Sequence, residues 1–152
     1  MTFKQITITF LNNKKKENIY DYEVYINTND EDSWIKLGDS SIGSYPRLLL
    51  KFVNKTMQNT FYVFFENVSF LTKDNIMNII TFSQMNFYKK AKHKLSLNEE
   101  INAKKERVYE LHSNQFVGWS IEEVIELENL EYEIFKLSMR KLLNLEEVNN
   151  HE

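Results

Sequence analysis

WSIEEVIELENLEYEIFKLSMRKLLNL, residues 119–145, is the stretch on which the reading of the fold turns. Ser120, with Glu123 three residues on, has the form of a capping box, and Trp119 with Val124 that of a hydrophobic staple closing over it. At helical rotation Ile121, Val124, Ile125, Tyr132, Phe135, Met139, Leu142 and Leu143 share one stripe. Leu127, Leu130, Ile134, Leu137 and Leu145 share a second, on roughly the opposite side. One stripe suffices for a helix lying on a domain. Two predict a long helix, Ile121 to Leu145, packed on both sides.

Upstream, Ser96 and Glu99 form a second capping box, opening a helix from Leu97 to His112. Its stripe is narrow: Leu97, Ile101, Val108 and Leu111, with Lys104 laying its methylenes along the seam. The short link Ser113 to Gly118 predicts that the two helices lie antiparallel. Thr72 is placed to cap a helix from Lys73 to about Lys92, with Ile76, Ile79, Ile80 and Phe87 in one stripe. Arg47 to Met57 carries Leu49, Phe52, Val53 and Met57 at helical spacing. Only Val53 is β-branched, so this segment reads as helix, with a strand as the alternative.

The N-terminal half is strand-like. Phe3 to Leu11 alternates, with Ile6, Ile8 and Phe10 on one face and Gln5, Thr7 and Thr9 on the other. Ile19 to Asn27 alternates too, with Tyr20, Tyr22, Val24 and Ile26 facing in and Asp21, Glu23 and Tyr25 out. Trp34 to Leu37 is a short third strand. Thr60 to Val68, apolar at nearly every position, reads as a central strand covered on both faces. The expected fold is α+β: a small antiparallel sheet packed by helices, then a C-terminal antiparallel helical hairpin ending in the long helix. The expected organisation is one domain over 1–152, mainly sheet with one helix over 1–70, helical over 71–146, with a tail at 147–152.

Composition bounds the chemistry. In 152 residues, 42% hydrophobic and 14% aromatic content with a net charge of −3 specify an ordered core. With no Cys there are no disulfides, thiolate metal sites or Cys nucleophiles. The N-terminus lacks the form of a signal peptide, and the longest wholly apolar run, Phe61 to Phe65, is far short of a membrane span. The expected location is the cytoplasm of a bacterial cell, without membrane contact. Abundant Asn, Lys, Ile and Phe are what an AT-rich genome over-uses, which suggests a low-GC bacterium or one of its phages. Charge is uneven: residues 1–94 carry 13 basic and 9 acidic residues, a net of +4, and residues 95–152 a net of −7.

No catalytic, cofactor or metal motif is present. His93, His112 and His151 lack a second ligand at metal spacing and read as solvated, at helix ends or in the tail. Asp30, Glu31 and Asp32 begin like a calcium loop, but Ile35 and Ser41 stand where that loop needs Gly and Glu. Gly38, Gly43 and Gly118 are too few and too scattered for a phosphate loop, and there is no G-x-S-x-G elbow. Glu122, Glu126 and Glu133 line the polar side of the long helix, and Lys136 and Arg140 continue it, as the helix dipole favours.

Two surfaces remain as candidates. Leu127, Leu130, Ile134 and Leu137, rimmed by Glu123, Glu131 and Lys141, would receive another protein unless the preceding helix covers them. Lys89, Lys90, Lys92 and Lys94, with His93 among them and Phe87 and Tyr88 beside them, could contact a phosphate backbone. Three classes of function follow: a non-catalytic interaction module, a nucleic-acid-associated protein, and an enzyme whose site has no motif; the first is expected. A small, Cys-free, motif-free chain rich in Asn, Lys and aromatics resembles the anti-defence proteins of phages and mobile elements. It is most similar in character to the small anti-CRISPR inhibitors of Cas nucleases. That resemblance implies a protein target such as a Cas9-type nuclease, blocked by surface binding or by acidic mimicry through Glu122, Glu126 and Glu133. The basic patch argues against pure mimicry, and the oligomeric state is not fixed by the sequence.

Overall fold

The computed structural model describes residues 1–84 and 86–148. His151 and the end of the tail lie outside the described residues. Among them the chain forms β1 (Phe3–Phe10), β2 (Lys15–Asn27), β3 (Trp34–Lys36), β4 (Ile42–Asn54), β5 (Asn59–Lys73), β6 (Ile76–Thr81), β7 (Phe87–Lys90), α1 (Asn98–Ser113), α2 (Ile121–Leu143) and β8 (Leu145–Val148). All eight strands belong to one mixed sheet. The small antiparallel sheet packed by helices is thus corrected to a large mixed sheet with two α-helices. The chain divides into two compact units, residues 1–90 with 146 onward, and residues 91–145.

In the first unit five strands close on themselves. β1 pairs β2, β2 pairs β4, β4 pairs β5 and β5 pairs β6, all antiparallel; β6 then returns to β1. Four antiparallel steps leave the first and fifth strands pointing the same way, so the closing pair, Gln5–Phe10 against Ile76–Thr81, is parallel. The result is a small barrel, and closure leaves its five strands few open edges. β3 and β7 add to β2 and β5, and β8 follows β7.

The barrel core is aromatic and aliphatic. Ile6, Ile8 and Phe10 point in as their alternation predicts, and meet Leu48, Leu50, Phe52, Phe61, Val63, Phe65 and Met77. Phe61 sits at its centre, stacked on Phe52 at 5.0 Å and edge-on to Tyr22 at 5.3 Å and Phe87 at 5.4 Å. The two segments read as helices are strands here. Residues 47–57 supply β4, where Leu48, Leu50 and Phe52 face the core and Leu49 is buried on the other face. A strand covered on both faces shows no alternation, which is why a leucine run imitated a helical stripe. Residues 73–92 hold a two-residue hairpin: Asp74 and Asn75 both take positive φ between Lys73 and Ile76. That is the geometry of a type I′ turn, and Met77, Ile79 and Thr81 then alternate inward.

Kinks explain where alternation misleads. Asp21, at φ 65°, breaks the phase of β2, so Ile19 points in and Tyr20 is exposed, the reverse of the sequence reading. Beyond it Tyr22, Val24 and Ile26 do point in. Pro46 and Asn67 (φ 48°) likewise interrupt the β4–β5 ladder between Tyr45–Val68 and Arg47–Glu66. Gly43 is required close by, because a Cβ there would come within 2.6 Å of the Phe70 ring, which stacks on Tyr45.

In the second unit α1 and α2 are joined through a 3₁₀ turn, Gln115–Val117. The capping box at Ser120 and Glu123 forms; the one expected at Ser96 and Glu99 does not, since α1 begins after Leu97 without a side-chain cap. The expected terminal antiparallel hairpin is corrected as well. α2 stops at Asn144, in the left-handed conformation at φ 56°, and Leu145 opens a strand that rejoins the sheet. Asn144 donates to the carbonyls of Ala91 and His93 and accepts from Leu95 N–H, fastening both ends of the unit. No helix among the described residues is long and apolar enough to cross a membrane.

Candidate partner-binding surface

α2 starts firmly: Ser120 Oγ accepts from Glu123 N–H at 3.2 Å, and Glu123 accepts in return from Ser120 N–H. Just before it, Trp119 Nε1 donates to the Leu111 carbonyl at 2.6 Å and its ring meets His112 edge-on. From α1, Arg107 clamps Glu126 of α2 through Nε and Nη2, at 2.9 and 2.8 Å, and reaches Glu110 at 3.0 Å. Those hydrogen bonds hold the Glu126 carboxyl below the usual carboxylate range.

The seam expected to receive a partner is largely inside. Leu127 and Leu137 are buried, and Leu130 and Ile134 are half-buried. Of the three glutamates expected as the acidic mimic, Glu126 is held by Arg107 and Glu133 pairs with Lys136 at 2.9 Å, while Glu122 is exposed. The other stripe behaves differently along its length. Phe135, Met139 and Leu143 are buried, but Ile121 is 77% exposed, Ile125 53% and Val124 39%, with Val117 at 88% just ahead of them. Glu128, one turn on from Val124 and Ile125, stands in the same stripe and is exposed. From Val108 to Phe135 the sequence has no Lys or Arg, and Glu122 and Glu128 are exposed on the same part of α2. Two signals were available: six Glu and no base over the first turns of α2, and apolar residues continuing up to the cap.

The lysines read as one patch are divided. Lys89 and Lys90 lie on β7, on alternate faces; Lys89 Nζ donates to Asn59 Oδ1 at 2.9 Å, and Lys90 Nζ lies 5.9 Å from the Tyr62 ring centroid. Lys92 and Lys94 are exposed and belong to the other unit. No group of three or more His, Cys, Asp or Glu among the described residues could hold a metal ion.

Residues 5–86 match the model of the UU051 N-terminal domain, and residues 96–148 that of the C-terminal domain of uncharacterised protein UU051. The chain is 32% identical to uncharacterized protein UU051 of Ureaplasma parvum serovar 3 over 153 residues, 97% of this chain and 89% of that one. The chain belongs to the UU051 family. The family's first part covers the barrel strands β1 to β6 and its second α1, α2 and β8, close to the two compact units except that β8 from Glu146 on falls in the first unit.

The barrel of this UU051-family chain has surface features of its own. A groove of about 540 Å³ crosses its outer face, walled by Ile42, Leu71 and Ile80, floored by Ser44, Ser69 and the Gly43 backbone, with Asn78 at its side. Elsewhere Glu23, buried on β2, accepts from Tyr25 OH at 2.9 Å and pairs with Lys36 at 3.2 Å and Lys55 at 3.4 Å. Burial alone would raise the Glu23 carboxyl, but the tyrosine and the two lysines more than offset it and leave it lowered.

Proposed function

We propose that this UU051-family chain is a non-catalytic protein-interaction module, acting in the cytoplasm, that captures a basic amphipathic segment on the N-terminal half of α2. One observation carries the reading: three aliphatic side chains, Ile121, Val124 and Ile125, stand exposed on one face of α2 beside Glu122 and Glu128, with exposed Val117 in the turn before them. Contiguous exposed apolar strips mark contact sites, as singly scattered surface residues do not. Their helical spacing suits an amphipathic helix laid alongside, and the carboxylates select lysines or arginines at its margin.

The reading is tested with a synthetic Lys/Leu amphipathic helix, followed by fluorescence anisotropy. Ile121→Ser with Ile125→Ser is expected to abolish binding, and Glu122→Lys with Glu128→Lys to weaken it at least tenfold, while helicity and melting stay as in the parent. Binding that survives both pairs of changes would overturn it. In its narrower form, an inhibitor of a host defence protein such as a Cas9-type nuclease, the chain would protect target DNA from cleavage at one-to-one stoichiometry, and the same Ile pair would remove protection.

A further inference from the structure

Strand register lays one row of side chains across the outer face of the barrel: Lys36 on β3, Tyr25 on β2, Lys51 on β4, Tyr62 on β5 and Tyr88 on β7. Adjacent strands are about 4.8 Å apart, so neighbours in such a row lie side by side; Tyr62 and Tyr88 are buried, and Tyr25 and Lys51 are partly exposed. Trp34 leans in beside it, its ring 5.8 Å from Tyr62. The Lys51 ammonium rests 4.7 Å from the Trp34 ring centre and 4.8 Å from that of Tyr25. Lys90 reaches the same Tyr62 ring from β7.

The charges around this row are unevenly matched. Glu23 takes Lys36 and Lys55, and Asp32 accepts from Trp34 Nε1 at 2.9 Å. Lys51 is held by ring faces, and among the described residues it forms no ion pair and no hydrogen bond. Burial lowers its pKa; Asp32 offsets part of that, and Lys90 adds like-charge repulsion. A cation stripped of part of its water and facing aromatic surfaces gains from an anion that also brings a flat ring.

We propose that this face of the barrel binds single-stranded nucleic acid, with a base against the Trp34 and Tyr25 rings and backbone phosphate at Lys51 and Lys90. An acidic peptide would satisfy the lysines but leave the aromatic surfaces unused. This site lies wholly within residues 25–90 and is independent of the α2 surface.

The experiment is anisotropy of a labelled short oligothymidylate with the full chain, across a salt series. Binding at low salt is expected, with affinity falling as salt rises. Lys51→Gln is expected to flatten the log–log salt slope by about 0.7, the value for one phosphate contact on a single strand. Trp34→Ala should lower affinity by roughly fivefold to a hundredfold, the range for losing one stacked base. Lys51→Arg should retain binding, and Lys14→Gln with Lys15→Gln, at the end of the β1–β2 turn and the start of β2, should leave it unchanged. Thymidine monophosphate and inorganic phosphate serve as separate arms. Competition by the nucleotide as effective as by the oligomer, equal losses from the turn lysines, absence of binding, or binding of an oligoglutamate peptide in place of the oligomer would each overturn the proposal.

Discussion

The barrel and the helical unit solve the same problem with different success. Five strands that close on themselves give every inward side chain a neighbour, and Phe3, Ile6, Ile8, Phe10, Phe52 and Phe61 are fully enclosed. Two helices cannot wrap around each other in that way. α2 carries two apolar stripes; one is largely enclosed, and the N-terminal half of the other stays in water. A closed sheet completes the burial of its inner face, whereas a long helix with two apolar sides leaves part of one in water.

That contrast can be broken or sharpened by substitution. The largest effect is expected at the barrel centre: Phe61→Ala removes a ring that three others touch, and should cost about 3–5 kcal/mol in denaturant unfolding. At the edge of the helical unit, Asn144→Ala loses three side-chain hydrogen bonds and places at φ 56° an alanine, which tolerates the left-handed region less well than asparagine. A cost of about 2–4 kcal/mol is expected, and Asn144→Gly should recover roughly 1 kcal/mol of it by relieving the backbone alone. Glu23→Gln in the barrel should cost about 1–3 kcal/mol at neutral pH. Because the Glu23 pKa is lowered on folding, its contribution is present above the ordinary carboxylate range and is lost as pH falls through the folded value. Parent and variant should therefore converge in stability under acid; a constant difference down to low pH would contradict the assigned ion pairs.

Smaller still, Ser120→Ala should cost about 1 kcal/mol and speed amide exchange in the first turn of α2, leaving exchange in β1 and β4 as it was. Smallest of all is Ile121→Ser, within about 0.5 kcal/mol, since its side chain is mostly in water already. Set beside Leu137→Ser, which buries a hydroxyl and should cost several times more, it separates the enclosed stripe from the open one.

How far the sequence revealed this can be followed residue by residue. β1 was legible because polar Thr7 and Thr9 alternate with Ile6, Ile8 and Phe10. The start of α2 was legible because Ser120 and Glu123 complete each other. β4 was not, because Leu48, Leu49 and Leu50 are all buried and give no period to read. Turns were hidden for a related reason. With three glycines in the chain, left-handed positions fall mostly to Asp and Asn, among them Asp21, Asn29, Asn67, Asp74, Asn75 and Asn144, whose side chains also fit loops and helix ends. The row containing Lys51 became visible only once residues 47–57 were strand, since register brings Tyr25 and Tyr62 to its sides. The stripe holding Ile121, Val124 and Ile125 was legible from its helical spacing; that its N-terminal end stays in water was not, because spacing does not show what covers a stripe.

The parallel seam between β1 and β6 has a consequence for how the molecule is made. Gln5 leaves the ribosome some seventy residues before Ile76, its eventual neighbour. Until then the β1–β2 hairpin waits with an unfilled flank, and the ring can shut only when the Asp74–Asn75 turn delivers the last member. Such long-range closure is slow relative to local hairpins. The nascent chain therefore passes through an open, sticky stage, and slowing translation between residues 11 and 76 would lengthen the time it spends there.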